Sequence, residues 1–273
     1  MALTALPSLD SPYAVDAESI DAFRRDGHVC MRGLASADEV AAYRPVIDAA
    51  TMRFRYDTRA LAERDTYGRA FVQTMNLWRR DAAIAPFTMS KRFAGAAAQL
   101  MGVDGIRLYH DQALYKEPGG GYTPWHQDQT YWPLATTHTI TMWMALVDIP
   151  AEVGSMRFAS GSHRFGDLGM NGIGDDSQAY FDRVIEERGF RVHTHGAMRA
   201  GDATFHAGWT IHGAGANPTA RMRNVMTIIY FANGTRIAKP SEFQRGDLKV
   251  WLADLPTGAL AAGPRNPLVW SRD

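Results

Sequence analysis

A histidine and an aspartate two positions apart, His126 and Asp128, have the residue types and spacing of a metal site. In an extended strand successive side chains alternate between faces, so these two would point one way while Gln127 points the other. His212 lies far along the chain and could complete the set. Two histidines and a carboxylate form the facial triad that holds non-haem iron(II) and leaves coordination positions open. The sequence therefore predicts an iron(II) site at His126, Asp128 and His212.

Arg223 follows His212 by eleven residues and could bind a co-substrate beside that metal. A guanidinium group binds a carboxylate through two parallel hydrogen bonds. Arg221 is in phase with Arg223 and is the alternative, but Arg223 lies deeper in an apolar strand, where an unpaired guanidinium would be costly. We expect Arg223 to hold a carboxylate of 2-oxoglutarate. With O2 as oxidant, the pattern predicts an iron(II)- and 2-oxoglutarate-dependent oxygenase.

Other histidines could compete for a metal. His193 and His195 are two residues apart and would share a face of a strand, and His206 precedes His212 by six residues. Neither set has a carboxylate nearby and in phase, so we interpret His193 and His195 as surface groups or as neighbours of the site. Ordinary hydrogen-bonded side chains are expected for the remaining histidines, His28, His110, His138 and His163.

The composition excludes several classes of protein. The chain has 273 residues, 46% of them hydrophobic, with 29 basic and 29 acidic side chains. The balance of charge argues against a nucleic-acid-binding protein, which usually has a basic excess. There is no apolar run of the roughly 20 residues that would span a bilayer, and the single cysteine, Cys30, gives no sign of an oxidising compartment. We expect a cytoplasmic protein, monomeric or homodimeric, that acts on a small molecule.

The first part of the chain, about residues 16–102, predicts helices. Asp16 is a candidate N-cap for a helix that ends at Gly27, and Ser36 with Glu39 forms a capping box for the next. A further helix over Lys91–Met101 would end at Gly102. Gly95 inside that helix either weakens the prediction of a helix slightly or marks a close packing contact.

From about residue 105 to 235 the pattern changes to short strands separated by turns. Ile140–Ile149 is apolar on both faces, which is typical of a strand buried between two layers. Residues 240–273 contain four prolines and predict an irregular tail. Helices followed by many strands predict one mainly β domain with flanking helices, built on a jelly-roll core.

Two stretches suggest where a substrate would bind. Residues 166–176 are rich in glycine and precede a short predicted helix, which is the composition of a lid or binding loop. Aromatic and methionine side chains form a candidate pocket wall, which favours a small, partly apolar metabolite: Phe71, Met75, Trp78, Tyr131 and Trp209. The many arginines between residues 51 and 80 are interpreted as a solvated surface, although they could instead bind the phosphates of a CoA thioester.

The chain resembles the phytanoyl-CoA dioxygenase family from about residue 18 to 235. The resemblance is carried by Pro124-Trp125-His126-Gln127-Asp128, Ala159-Ser160-Gly161-Ser162-His163, His212-Gly213, Asn217 and Arg223. It implies a double-stranded β-helix core of the cupin type, with His126, Asp128 and His212 as iron ligands and Arg223 on the far carboxylate of 2-oxoglutarate. It also places Trp143 beside that co-substrate, although packing in the core would explain Trp143 equally well. One departure is Ala159-Ser160, where the family usually has a proline before Gly-Ser-His.

The expected reaction is hydroxylation of an unactivated C–H bond, with release of succinate and CO2. Halogenases of similar fold have a small residue in place of the carboxylate, so Asp128 favours hydroxylation. Desaturation, cyclisation or epimerisation in secondary metabolism could use the same site. A zinc-dependent or cupin-type hydrolase or isomerase is a weaker alternative, because Arg223 has no role there and no general base is obvious. A non-catalytic binding protein is weaker still, since all three ligand positions are intact.

Overall fold

Two antiparallel β-sheets face each other in the computed structural model, which describes residues 5–272. The larger sheet has the strand order β1-β8-β5-β10-β3-β11, with β2 also paired to β3. Its strands are β1 (His28–Met31), β2 (Val72–Met75), β3 (Gly105–Tyr115), β5 (Thr139–Ala145), β8 (Ala203–Ala207), β10 (Val225–Ala232) and β11 (Leu268–Ser271). The smaller sheet has the order β4-β9-β6-β7, with β4 (Thr123–His126), β6 (Met156–Ala159), β7 (Val192–His193) and β9 (His212–Ala214). The predicted jelly-roll core with flanking helices is confirmed.

The helices of the described residues lie mostly before the β core. They are α1 (Ala17–Asp26), α2 (Ala37–Phe54), α3 (Thr66–Ala70), α4 (Leu77–Arg80), α5 (Ala85–Thr88), α6 (Lys91–Met101), α7 (Asp175–Arg188) and α8 (Arg245–Trp251). Short 3₁₀ helices cover Leu61–Glu63, Asp128–Tyr131 and Ser162–Phe165. Over residues 5–272, every helix is too short or too polar to cross a membrane.

The predicted helix ends are confirmed. The Asp16 carboxylate accepts a hydrogen bond from the Ser19 amide at 2.7 Å, and α1 stops where Gly27 adopts φ +80°. At the start of α2, the Ser36 hydroxyl and the Glu39 carboxylate each accept from the other residue's backbone amide. These caps satisfy amide groups that have no partner within the helix.

The larger sheet separates the main hydrophobic core from the interior of the jelly roll. Along β5, Ile140, Met142 and Met144 pack in the core that includes the alanines of α6. Thr141 and Trp143 alternate with them and therefore point to the opposite face, towards the smaller sheet. The strand is buried over its whole length, as its sequence predicted. Its inner face is thus free to supply polar groups to a site between the sheets.

The tail is more regular than the sequence predicted. Instead of an irregular segment, residues 240–273 contain α8 and β11, and β11 pairs with the start of β3. The Asn266 side-chain amide donates to the carbonyl groups of Leu108 and Tyr109, which holds the approach to β11 against β3. Prolines in the intervening turns concealed these elements, since local pattern cannot show a short strand that forms only by pairing with a distant edge.

Candidate metal centre

Two of the predicted ligands lie opposite each other on neighbouring strands. His126 is the last residue of β4, His212 is the first of β9, and the two are directly paired in the antiparallel register. The strands approach closely at Gly213, where an added Cβ would lie 2.8 Å from the Thr123 carbonyl oxygen. Glycine permits this close approach of the two backbones because it has no Cβ.

Asp128 does not lie in the strand that the sequence predicted. Gln127 is extended, with φ −118° and ψ 127°, but Asp128 begins the 3₁₀ helix that follows. Its carboxylate nevertheless points to the same side as His126, with Oδ1 3.5 Å from Nε2 of His126 and 3.6 Å from Nε2 of His212. The three potential ligand atoms lie within 4.8 Å of one another, as a metal site requires.

The hydrogen bonds of the two histidines prepare them to bind a metal. Nδ1 of His126 lies 2.8 Å from the Pro124 carbonyl oxygen, and Nδ1 of His212 lies 3.0 Å from that of Thr210. A carbonyl oxygen can only accept, so Nδ1 of each ring carries a proton, and Nε2 of each ring, the atom that would ligate a metal, faces Asp128. Burial, and then repulsion by His126 and His206, holds the pKa of His212 well below its ordinary value. Neutral imidazole is the form that ligates iron.

The second oxygen of Asp128 is held from the larger sheet. Oδ2 accepts from the Thr141 hydroxyl at 2.8 Å and lies 3.2 Å from Nε2 of His206. The interpretation that His206 has no nearby carboxylate was therefore wrong. Only the folded arrangement shows this contact, because it joins strands that are distant in sequence.

Arg223 lies just before β10 rather than within it, and its backbone exchanges two hydrogen bonds with Lys116. The side chain is 2% exposed, and its Nη1 and Nη2 donate to the carbonyl groups of Gly154 and Leu114 at 2.7 and 3.2 Å. Its Nε is buried and has no hydrogen-bond partner within residues 5–272, and Cζ lies 5.1 Å from the centre of the Trp143 ring.

No carboxylate in residues 5–272 forms an ion pair with Arg223. Burial lowers the pKa of its guanidinium to about 9. A buried cation with an unused donor is suited to receive an anion. The alternative residue, Arg221, is exposed.

Lys116 is a second buried cation that the sequence analysis did not single out. Its ammonium group donates to the carbonyl oxygens of Ala70 and Gly121, at 2.8 and 2.5 Å. Burial, and then the charge of Arg223, lowers the pKa of Lys116 to about 6. In the sequence this residue only ends an alternating strand, so nothing local distinguishes it from a solvated lysine.

One cavity lies between the sheets, with about 550 Å³ of space including its mouth. Its wall contains the triad, His206 and Arg223. The other residues that line it are Tyr67, Phe71, Gln73, Gln112, Leu114, Thr123, Thr141, Trp143, Met156, Ile173, Gly213, Ala214 and Thr227. The structure thus brings the three predicted metal ligands, Arg223 and Trp143 together at one cavity, and their roles there stay predictions.

The sequence model of the phytanoyl-CoA dioxygenase (PhyH) family matches residues 23–225, and this match decides the family of the chain. The chain belongs to this family. An ectoine dioxygenase of Streptomyces anulatus is 25% identical over 243 residues, which cover 81% of this chain and 79% of that protein. The family, and with it the predicted class of iron- and 2-oxoglutarate-dependent dioxygenase, is confirmed.

Two solved structures share the architecture of this phytanoyl-CoA dioxygenase family member. The epimerase SnoN in complex with Fe3+, α-ketoglutarate (2-oxoglutarate) and nogalamycin RO has a TM-score of 0.76 and 28% identity, covering 92% of this chain and 97% of that one. SnoK, a non-haem α-ketoglutarate-dependent carbocyclase from nogalamycin biosynthesis, has a TM-score of 0.76 and 24% identity, covering 94% and 99%. The similarity to SnoK supports the assignment of the fold. The SnoN structure in addition contains iron and 2-oxoglutarate, the predicted metal and co-substrate.

The predicted pocket wall of this family member needs correction. Phe71 lines the cavity, but Met75, Trp78, Tyr131 and Trp209 are not among the described residues around it. Tyr131 instead contacts Phe243, with ring centres 4.9 Å apart. Composition can suggest that a segment is near a pocket, but the direction of each side chain depends on how that segment turns.

A chain of hydrogen bonds that the sequence did not predict links three polar side chains in the wall of the cavity. The Tyr67 hydroxyl donates to Oε1 of Gln73 at 3.1 Å, and Nε2 of Gln73 donates to Oε1 of Gln112 at 2.8 Å. This direction leaves the Gln112 amide nitrogen as a donor at the cavity. Tyr67, Gln73 and Gln112 come from α3, β2 and β3, so no sequence motif unites them.

The remaining histidines of interest form a separate group. Nδ1 of His28 lies 3.0 Å from Nε2 of His195, and the His193 ring stacks on His28 at 5.3 Å. Neither His193 nor His195 borders the cavity of the triad. Their interpretation as groups outside the metal site agrees with this placement.

Proposed function

We propose that this protein hydroxylates an unactivated C–H bond of a small, partly apolar metabolite in a reaction dependent on iron(II) and 2-oxoglutarate, with succinate and CO2 as co-products. One observation carries the proposal. Two imidazoles and a carboxylate converge on one point, and a buried guanidinium that forms no ion pair within residues 5–272 borders the same cavity. Bound iron would supply the oxidation chemistry with 2-oxoglutarate and O2, while the protein supplies orientation and electrostatics.

In this proposal His126, Asp128 and His212 hold the iron. Their donor set fits a metal of intermediate softness, and both Nε2 lone pairs are directed towards the point that the carboxylate faces. The backbone carbonyl groups of Pro124 and Thr210 fix the orientation of the rings. The site is therefore preorganised and needs little rearrangement on metal binding.

Arg223 would bind the far carboxylate of 2-oxoglutarate. The Gly154 and Leu114 carbonyl groups hold its guanidinium in place, and the buried Nε gains a partner if an anion binds. Trp143, stacked near the guanidinium, would form the apolar side of this subsite. A dicarboxylate would also offset the cost of burying Arg223 beside Lys116.

The rest of the cavity supports a small metabolite with both polar and apolar parts. Phe71 and Ile173 supply apolar surface, and Gln112 supplies a donor. None of the arginines between residues 51 and 80 borders the cavity among the described residues. Arg64, for example, forms an ion pair with Glu117, with Nη1 2.5 Å from Oε2. A free metabolite is therefore better supported than a CoA thioester.

Epimerisation is the second candidate reaction. It is favoured by the similarity to SnoN, an epimerase that binds Fe3+ and α-ketoglutarate. The same triad and arginine would serve either reaction, because both begin with the same metal and co-substrate. Desaturation and cyclisation are further outcomes that the same site could support.

Anaerobic spectroscopy tests the proposal. Adding iron(II) and then 2-oxoglutarate to the purified protein should produce a weak visible charge-transfer band. His126→Ala should abolish iron binding, whereas Arg223→Ala should retain iron and weaken 2-oxoglutarate binding by at least about tenfold, as loss of a charge-assisted hydrogen bond predicts. Arg221→Ala is the matched control, because Arg221 is exposed and should leave both affinities unchanged. Folded protein that shows no band, and forms no succinate under air, would refute the proposal.

We also propose that residues 1–273 act as a single cytoplasmic oxygenase domain, with helices over about 16–102 and a core over about 105–235, as a monomer or homodimer. The shared core of the helices and the larger sheet supports one folding unit. One cooperative unfolding transition and a single sedimenting species would be expected.

A further inference from the structure

The carboxylate of Asp128 is held asymmetrically. Its Oδ1 faces the Nε2 atoms of His126 and His212, at 3.5 and 3.6 Å. Its Oδ2 faces away from them and receives the Thr141 hydroxyl at 2.8 Å and His206 at 3.2 Å. One oxygen is thus left for a metal, while two donors occupy the other.

These two donors form a pair across neighbouring strands. Thr141 of β5 and His206 of β8 are directly opposite in the antiparallel register, so their side chains lie together on the inner face of the larger sheet. They are 3% and 1% exposed, respectively. Bulk solvent therefore has little access to either donor.

The surroundings of His206 fix its proton. Nδ1 of His206 is buried with no hydrogen-bond partner among the described residues. A carboxylate oxygen only accepts hydrogen bonds, so Nε2 must carry the proton that Asp128 receives. His206 therefore presents no lone pair to a metal from Nε2, which separates its role from those of His126 and His212.

We propose that His206 and Thr141 are positioning residues that make Asp128 a ligand through one oxygen only. A second oxygen from Asp128 would occupy a coordination position that the co-substrate or O2 needs, because this type of site depends on open positions. Hydrogen bonds to the ligand also keep the carboxylate oriented before the metal binds. This inference rests on the proposed metal site and adds the two residues that determine its geometry.

Metal affinity and spectra of the full-length protein test the inference without use of turnover. Cobalt(II) and, anaerobically, iron(II) would be titrated into the wild type, His206→Phe, His206→Gln, Thr141→Val and Thr141→Ser. We expect His206→Phe to bind either metal about 10–100-fold more weakly and to change the visible cobalt spectrum. His206→Gln and Thr141→Ser, which retain a donor, should recover most of the affinity and the original spectrum. His138→Phe is the control for an exposed histidine and should resemble the wild type.

The possible outcomes separate this inference from the proposed function. If His206→Phe and Thr141→Val bind metal with wild-type affinity and spectrum, the positioning role is refuted even if the wild type forms the 2-oxoglutarate band. If the wild type binds metal but forms no such band, and the two variants are weakened, the positioning role stands and the proposed function fails. If the wild type binds no metal, both are refuted. If His206→Phe does not fold, the comparison of Thr141→Val with Thr141→Ser tests the positioning role. Valine retains the shape of threonine and removes only the hydroxyl donor.

Discussion

Arg223 and Lys116 are two buried cationic groups close to each other, where the sequence had indicated only one, and Arg223 borders the cavity. The two side chains lie close to each other beside Gly154. A Cβ added at Gly154 would lie 3.1 Å from Nη1 of Arg223 and 3.1 Å from Cε of Lys116. Burial makes each charge costly, and their proximity adds repulsion, so the pKa of Lys116 falls to about 6. A carboxylate bound by Arg223 would offset the repulsion between the two cations and favour the charged form of Lys116.

We therefore predict that 2-oxoglutarate binding takes up protons. At pH 7.5 most Lys116 side chains are neutral without ligand, since their pKa is about 6. A bound carboxylate raises that pKa, so up to about one proton should be taken up, and affinity should fall as the pH rises above 6. Calorimetry of the anaerobic iron-loaded protein in buffers of different ionisation enthalpy measures this uptake. Lys116→Met should remove it, and Lys239→Met, at an exposed lysine, should not. Binding heats that do not depend on the buffer would contradict the prediction.

At the scale of the element, the sequence predicted those features that depend on local chemistry. The caps of α1 and α2 and the end of α6 at Gly102 could be read because a cap is completed within a few residues. Contacts between elements could not be read in the same way. His206 and Lys116 acquire their roles from strands that are remote in the chain, and Arg223 is positioned by a bridge to Lys116 rather than by β10.

Gln127 shows how one side chain connects two elements. It points away from the metal side, as strand alternation predicted, and contacts the glycine-rich segment 166–174 that precedes α7. Its amide nitrogen donates to the carbonyl groups of Gly166 and Trp209, and its oxygen accepts from the Leu168 amide at 3.0 Å. Ile173 of the same segment borders the cavity. Gln127 thus holds this segment beside the site.

Gln127→Met should loosen this segment, because it retains the length of the side chain but leaves three backbone groups unpaired. Each buried unpaired group costs about 1–3 kcal/mol, so amide exchange over 166–174 should accelerate by at least about tenfold. Hydrogen exchange with mass spectrometry would measure it, with α6 as an internal reference. Asn171→Ala, an exposed amide side chain in the same segment, should have little effect. Unchanged exchange in Gln127→Met would show that other contacts hold the segment.

At the scale of the molecule, the tail braces the face of the larger sheet opposite the cavity. Trp270 of β11 packs on the main core, and its Nε1 would lie 3.2 Å from a Cβ added at Gly95 of α6. Of the two interpretations of Gly95, the structure supports the close packing contact, but its partner lies in the segment that the sequence predicted to be irregular. The tail could not be interpreted from its own pattern, because its stability comes from β3 and α6.

Removal of the contact between Trp270 and the core should destabilise the whole fold and leave metal binding at the site unchanged. Trp270 is half-buried, so Trp270→Ala should lower the free energy of unfolding by about 2 kcal/mol, less than for a fully buried tryptophan. Leu268→Ala is the matched control on the same strand, since Leu268 is 43% exposed and the change should stay within about 0.5 kcal/mol. Urea unfolding followed by circular dichroism would measure both. Iron affinity of the folded Trp270→Ala protein should equal that of the wild type, since the residue lies on the core side of the sheet and does not border the cavity. Equal stabilities of the two variants would mean that β11 is a loosely attached edge strand and that the sheet holds the site without it.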